Sequence, residues 1–200
     1  RQPAEHREAI LQGAKAAFLK EGFGGASMDQ VAALAGVSKM TVYRHFGSKE
    51  ELFRETVEGV LDANMQEAER LVADKSLRWI ERLHAIYVRL MVSYEENYPA
   101  TFVYIQEQMH QVGAEESVWA QEIMKKTRAF DQTLIAFISE AIAAGELRND
   151  IPPRLVENAL FGMLNWTHRW FQPGKGMSGT EVAEAFWSIF VNGMQASEVA

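Results

Sequence analysis

Apolar residues recur every three to four positions along nearly the whole chain, and alternating β-branched runs are absent. That periodicity predicts helices throughout. In "EAILQGAKAAFLKEG", Ile10, Leu11, Ala14, Ala17 and Phe18 share one face, and Gly22 ends the pattern. Ser27 with Gln30 forms a capping box that opens a short helix stopped by Gly36. Ser38 caps a second short helix, "SKMTVYRHF", which ends at Gly47. A second box, Ser48 with Glu51, begins a long helix over 48–73 with Leu52, Phe53, Val57, Val60 and Leu61 at helical spacing.

After a polar break at Asp74-Lys75-Ser76 the pattern resumes in "LRWIERLHAIYVRLMVSYEENY". Pro99 starts a further helix that Gly113 ends, and another runs up to Gly145. "PRLVENALFGMLNWTHRWF" is closed by the loop "QPGKGMSG", and "TEVAEAFWSIFVNGM" is the last. The pattern therefore predicts an all-α protein of nine helices and no sheet. It divides into a three-helix front, residues 1–47, and a larger helical body, residues 48–200, with helix 48–73 joining them.

Two short helices joined by a tight Gly-containing turn after a longer one describe a helix-turn-helix. Ala32 and Ala35 are small enough for close approach, and Val31, Val37, Val42 and Phe46 supply a core with Phe18 and Leu52. Lys39, Met40, Thr41, Tyr43, Arg44 and His45 are left on the outward side of the second short helix. Lys and Arg reach base edges or phosphates, and Tyr and Thr hydroxyls donate to phosphate oxygens. Lys49 falls in the first turn of the next helix, where free N–H groups and the dipole favour an anion. A solvated basic face is the plainer alternative.

Charge sharpens this picture. The 200 residues carry a net charge of −7, yet residues 1–50 hold seven Lys/Arg against five Asp/Glu, and residues 51–200 hold thirteen against twenty-two. Basic character confined to one end suits a polyanion met there only. The absence of cysteine removes thiol chemistry and disulfides and fits a reducing cytoplasm. No run of 18 apolar residues occurs, and "RQPAEHREAILQGA" lacks the apolar core of a signal peptide.

"AAFLKEGFGGASMDQVAALAGVSKMTVYRHFGSKEEL" resembles the DNA-binding domain of the TetR family of bacterial transcriptional regulators, with residues 8–55 covered. The resemblance implies a homodimer with an N-terminal helix-turn-helix for double-stranded operator DNA and a helical C-terminal ligand-binding domain. By position, Ser27, Thr41, Tyr43, His45 and Lys49 match the family's phosphate-holding residues. Lys39, Met40 and Arg44 match variable positions that tend to read bases. Met40 stands where many members have Gly or Ala, and an apolar side chain there can touch a thymine methyl.

The body is rich in large apolar side chains, each of which also fits plain bundle core. Tyr87, Met91, Tyr94, Phe102, Trp119, Phe130, Phe137 and Trp166, with the polar Gln106 and His110, are candidates for a pocket that takes a small apolar effector. Near the C-terminus Trp170, Phe186 and Phe190, with Gly193 allowing close approach, exceed what one edge of a bundle needs and suggest an isologous four-helix dimer interface. "NWTHRWFQPGKG" and the helix after it are similar to TetR regulators of fatty-acid and steroid catabolism, which implies an acyl-CoA or similar apolar thioester as effector.

One enzyme reading competes. Glu81–His84 and Glu107–His110 are E-x-x-H motifs of the kind helical di-iron proteins use. On a helical wheel Glu81 turns toward solvent, and no further inward Glu pair is evident. Nucleophile elbows, P-loops and Rossmann glycines are absent. The expectation is a regulator without cofactor or metal and not an enzyme.

Overall fold

The computed structural model describes residues 2–98, 101–102, 104–105 and 118–194. Among them every regular element is helical: eight α-helices and one 3₁₀ turn. The helix predicted to start at Pro99 lies mostly outside the described residues. Two compact units emerge. One is Arg1–Asp62 with the described part of Asn97–Ala114, and the other is Ala63–Glu96 with the described part of Glu115–Ala200. The long fourth helix contributes to both units.

In the first unit α1 spans Gln2–Gly25, α2 Met28–Ala35, α3 Lys39–His45, and α4 starts at Lys49 and runs to Ala73. Ile10, Ala14, Ala17 and Phe18 are buried, as the periodicity predicts, together with Val31, Val42, Phe46, Leu52, Phe53 and Val57. Phe53 meets Phe18 edge-on at 5.3 Å and Phe23 at 4.9 Å. Each such ring buried contributes about 1.5–3 kcal/mol. The regular helical backbone of α1 is interrupted at Gly22, where the sequence pattern ends, and a short turn carries the span on to Gly25. Gly22 takes φ 70° and ψ 171°, and the helix kinks there. A positive φ of this kind is open mainly to glycine.

The second unit holds the later part of α4, α5 (Trp79–Glu96), α6 (Val118–Ala143), α7 (Pro153–Trp166), the 3₁₀ turn Thr167–Arg169 and α8 (Gly179–Met194). Helix α5 packs chiefly on α8, and α6 on α7. The core gathers Leu83, Ile86, Tyr87, Met91, Leu134, Ile138, Leu160, Val182 and Trp187. The carboxylate of Glu146 accepts the N–H groups of Trp79 at 3.3 Å and Ile80 at 2.9 Å, which caps α5 from a turn far along the chain. Helix α7 ends at Trp166 rather than near Phe171, because the Thr167 hydroxyl donates back to Leu164 O at 2.6 Å and the backbone tightens to 3₁₀.

Candidate nucleic-acid interface and effector body

Both short helices of the first unit start on serine. Ser27 Oγ accepts the Gln30 N–H at 3.3 Å, and the Ser27 N–H donates to Gln30 Oε1 at 2.8 Å. Ser38 Oγ accepts the Thr41 N–H at 3.1 Å. Between them Gly36 is left-handed at φ 66°, and its N–H returns to Ala32 and Ala33 carbonyls. This is the αL stop that lets the chain reverse in so few residues. The turn sets α3 with Val42 inward and Lys39, Met40, Tyr43 and Arg44 exposed. Met40 is 81 % exposed and Tyr43 46 %.

The side chains on that face differ in how free they are. Arg44 has no ion pair among the described residues. Lys39 pairs with Asp29 of α2, Nζ to Oδ1 2.8 Å, and this hydrogen-bonded acid raises its pKa. The Thr41 hydroxyl shares a 2.9 Å hydrogen bond with Ser38 Oγ. His45 is half-buried, and its Nε2 is shielded from solvent without a hydrogen-bond partner among the described residues.

Lys49 stands apart from the expectation of a free anion-binding group. Its ammonium donates to the carbonyls of Phe23 at 2.7 Å, Ala26 at 3.0 Å and Gly24 at 3.3 Å, and lies 4.6 Å from the centre of the Phe23 ring. All three protons face backbone oxygens at the end of α1. Periodicity could not show this, since it depends on the Gly22 kink that turns those carbonyls outward.

In the body, Tyr87, Met91, Tyr94 and Phe137 are buried. Tyr87 packs against Phe161 and Trp187, Tyr94 against Phe171, and Phe130 against Phe161. Burial pushes the Tyr87 phenol well above its ordinary pKa, and its hydroxyl has no hydrogen-bond partner among the described residues. Phe137 faces Trp79 at 4.9 Å, and the buried Arg82 stacks over both rings while donating to Val72 O at 2.8 Å. Phe102 is half-buried beside Tyr98 within the first unit. Gln106, His110 and the Trp119 side chain lie outside the described residues.

Two residues sit differently from their expected places. Trp166 is 52 % exposed with the Arg169 guanidinium 4.6 Å over its ring, so it belongs to the outer surface and not to a buried pocket wall. Phe190 is 5 % exposed and belongs to the core, because α8 turns it inward with Trp187. The exposed apolar residue on α8 is its neighbour Ile189, at 67 %, and on α7 Leu155, at 58 %. Sequence reasoning passed over both, although the helical spacing of Leu155 and Trp166 was there to be read. Trp170 is half-exposed against the partly covered Phe186 at 6.1 Å, and Gly193 is exposed.

The E-x-x-H pair at the start of α5 is engaged elsewhere. Glu81 accepts from the Arg78 N–H at 2.9 Å and its guanidinium at 3.1 Å, and His84 Nε2 lies 3.0 Å from Glu184. Arg78, Glu81 and His84 border a cleft of about 430 Å³ that also touches Trp187 and Val191 and none of the predicted effector residues. Glu107 and His110 lie outside the described residues. A different acidic pair emerges on the inner faces. Glu157 of α7 is buried and Asp131 of α6 half-buried, and burial raises the pKa of each.

Residues 10–56 match the model for bacterial regulatory proteins of the tetR family, and residues 76–194 match the tetracyclin repressor-like C-terminal domain. The HTH-type transcriptional repressor KstR2 of Mycolicibacterium smegmatis is 23% identical over 197 residues, 98% of this chain and 94% of that protein. The structure of the ketosteroid transcriptional regulator KstR2 of Mycobacterium tuberculosis superimposes with TM-score 0.86 at 22% identity, covering 96% and 95% of the two chains. AibR, solved in complex with isovaleryl coenzyme A and operator DNA, superimposes with TM-score 0.78 at 20% identity, covering 92% and 97%. The matched models lie one on each side of α4's midpoint, on the helix-turn-helix unit and on the helical body, and the chain belongs to the TetR family of transcriptional regulators, not to an enzyme family.

Proposed function

We propose that the protein is a homodimeric repressor that docks α3 in the major groove of a pseudo-palindromic operator and is released by an apolar effector, an acyl-CoA or similar thioester. The observation that carries the DNA reading is the exposed face of α3. Tyr43 lies on it with Arg44, which has no ion pair among the described residues, in a chain that is otherwise acidic. Tyr43, Ser27, Thr41 and His45 hold phosphates in this reading, and Lys39, Met40 and Arg44 face bases. Tyr87, Met91, Tyr94, Phe130 and Phe137 contribute to the effector-binding interior. Leu155, Trp166, Trp170 and Ile189 provide the outward apolar surface on which a second copy packs.

The names of the similar proteins support the sign and the ligand class, since one is a repressor and another was solved with a coenzyme A thioester. An effector of this kind acts by preferring a dimer whose reading heads no longer match operator spacing. The test is direct. An operator is selected from random duplexes by the protein, and a panel of fatty acyl-CoAs is added. Low-micromolar binding with release of DNA is the expected result. No thermal shift with any member of the panel rules out the thioester.

A further inference from the structure

We infer that Lys49 is a positioning residue that clamps the two ends of the helix-turn-helix together, rather than a phosphate ligand. The inference rests on the reading of α3 as the DNA-facing helix. Lys49 is the first residue of α4, immediately after α3 and its turn, and its three acceptors, Phe23, Gly24 and Ala26, immediately precede α2. One ammonium thus joins the chain entering the motif to the chain leaving it.

A lysine at a helix N-terminus opposes the macrodipole. Here the unfavourable placement is offset by the end of α1, whose last carbonyls have no partner within their own helix and carry the negative end of its dipole. Past the kink at Gly22, the Phe23, Gly24 and Ala26 oxygens all lie within hydrogen-bond reach of the one ammonium. Phe23 covers the ammonium on one side and packs at a tilt against the Phe53 ring of α4, centroids 4.9 Å apart, so the same residue ties α1 to α4 by its ring and by its carbonyl. Three donors meeting three acceptors leave no proton for a phosphate unless a clamp bond opens. Any shift of the first turn of α4 therefore pulls directly on the turn that orients α2 and, behind it, α3.

Salt dependence separates a clamp from a phosphate contact. Operator duplexes selected by the wild type, and mixed-sequence duplexes of equal length, are titrated with the full chain carrying Lys49→Met or Lys49→Arg, with thermal melting checked in parallel. For Lys49→Met the expected result is a loss of about tenfold or more on the operator, a smaller loss on mixed sequence, and an unchanged slope of log affinity against log salt. A slope smaller by about 0.9, with equal loss on both duplexes, is the signature of a lost phosphate contact and overturns the inference. Lys49→Arg keeps the charge and holds the protein folded if the Met variant melts. A planar guanidinium cannot direct donors at three converging carbonyls, so it is expected to restore operator affinity only in part. Full restoration overturns the clamp. A wild type that selects no sequence and binds no duplex overturns the DNA reading itself, a result distinct from either.

Discussion

Gly13 of α1 lies against the backbone of α2: a Cβ built on it falls 2.9 Å from the Ala35 nitrogen and 2.9 Å from the Val31 carbonyl oxygen. The two helices touch main chain to main chain, and no side chain fits between them. The small residue that matters most for their approach is therefore on the first helix, opposite Ala35. Gly13→Val is expected to destabilise the protein by about 2–3 kcal/mol through overpacking. Gly59 of α4 has nothing within 4 Å of its Cβ position, so Gly59→Ala is expected to stabilise by about 0.5–1 kcal/mol. Urea unfolding of both variants checks the pair, and equal effects would show that the contact does not govern the packing.

The Lys39–Asp29 ion pair holds back a charge on the face of α3 that is proposed to meet DNA. Asp29→Asn frees that ammonium and removes an anion from the same face. Operator affinity is expected to rise several-fold, with a salt slope steeper by roughly one. Titration at two or more salt concentrations measures it, and an unchanged slope would place Lys39 away from the phosphates.

Arg44 and Tyr43 are exposed side by side yet serve different ends in the proposed complex. Tyr43→Ala is expected to weaken binding to all sequences by a similar factor. Arg44→Ala is expected to relax discrimination at one base position per half-site by about tenfold or more. Selection from randomised duplexes distinguishes them, and an Arg44→Ala protein with unchanged preference removes the base-reading role.

The acids Glu157 and Asp131 give a signed pH dependence. The pKa of Glu157 is raised first by burial and then by the nearby Asp131, while Arg154 opposes both. A carboxyl whose folded pKa lies above its unfolded value favours the protonated, folded state. Its penalty on stability is therefore full above the folded pKa and disappears as pH falls toward the ordinary value of 4.5. Glu157→Gln is expected to melt higher than the wild type at pH 7, with the gap closing toward pH 4.5. A gap constant with pH would mean that Glu157 stays charged and partnered.

Tyr87 buries a hydroxyl without a hydrogen-bond partner among the described residues. Removing a buried unpaired group relieves its desolvation cost. Tyr87→Phe is expected to leave stability unchanged or to raise it by about 1 kcal/mol in denaturant titration. A loss of similar size would show that the oxygen is bonded.

The family, the helical class and the helix-turn-helix were legible because they rest on local rules. Ser27 with Gln30, Ser38 with Thr41, and Gly36 in its left-handed turn are capping and turn chemistry written within a few residues. The faces that carry Val31, Val42 and Phe46 inward follow from the 3.6-residue period. What lies beyond that reach had to come from tertiary contacts. Phe190 and Ile189 are adjacent and both apolar, and only the packing of α8 on α5 decides that the first is core and the second surface. Glu146 finds Trp79 and Ile80 across more than sixty residues. Lys49 was identified by its position in a motif, but a lysine at the start of a helix says nothing of which oxygens surround it. Those are decided by the return of α4 past the end of α1, where backbone carbonyls left over by one helix meet the ammonium at the start of another.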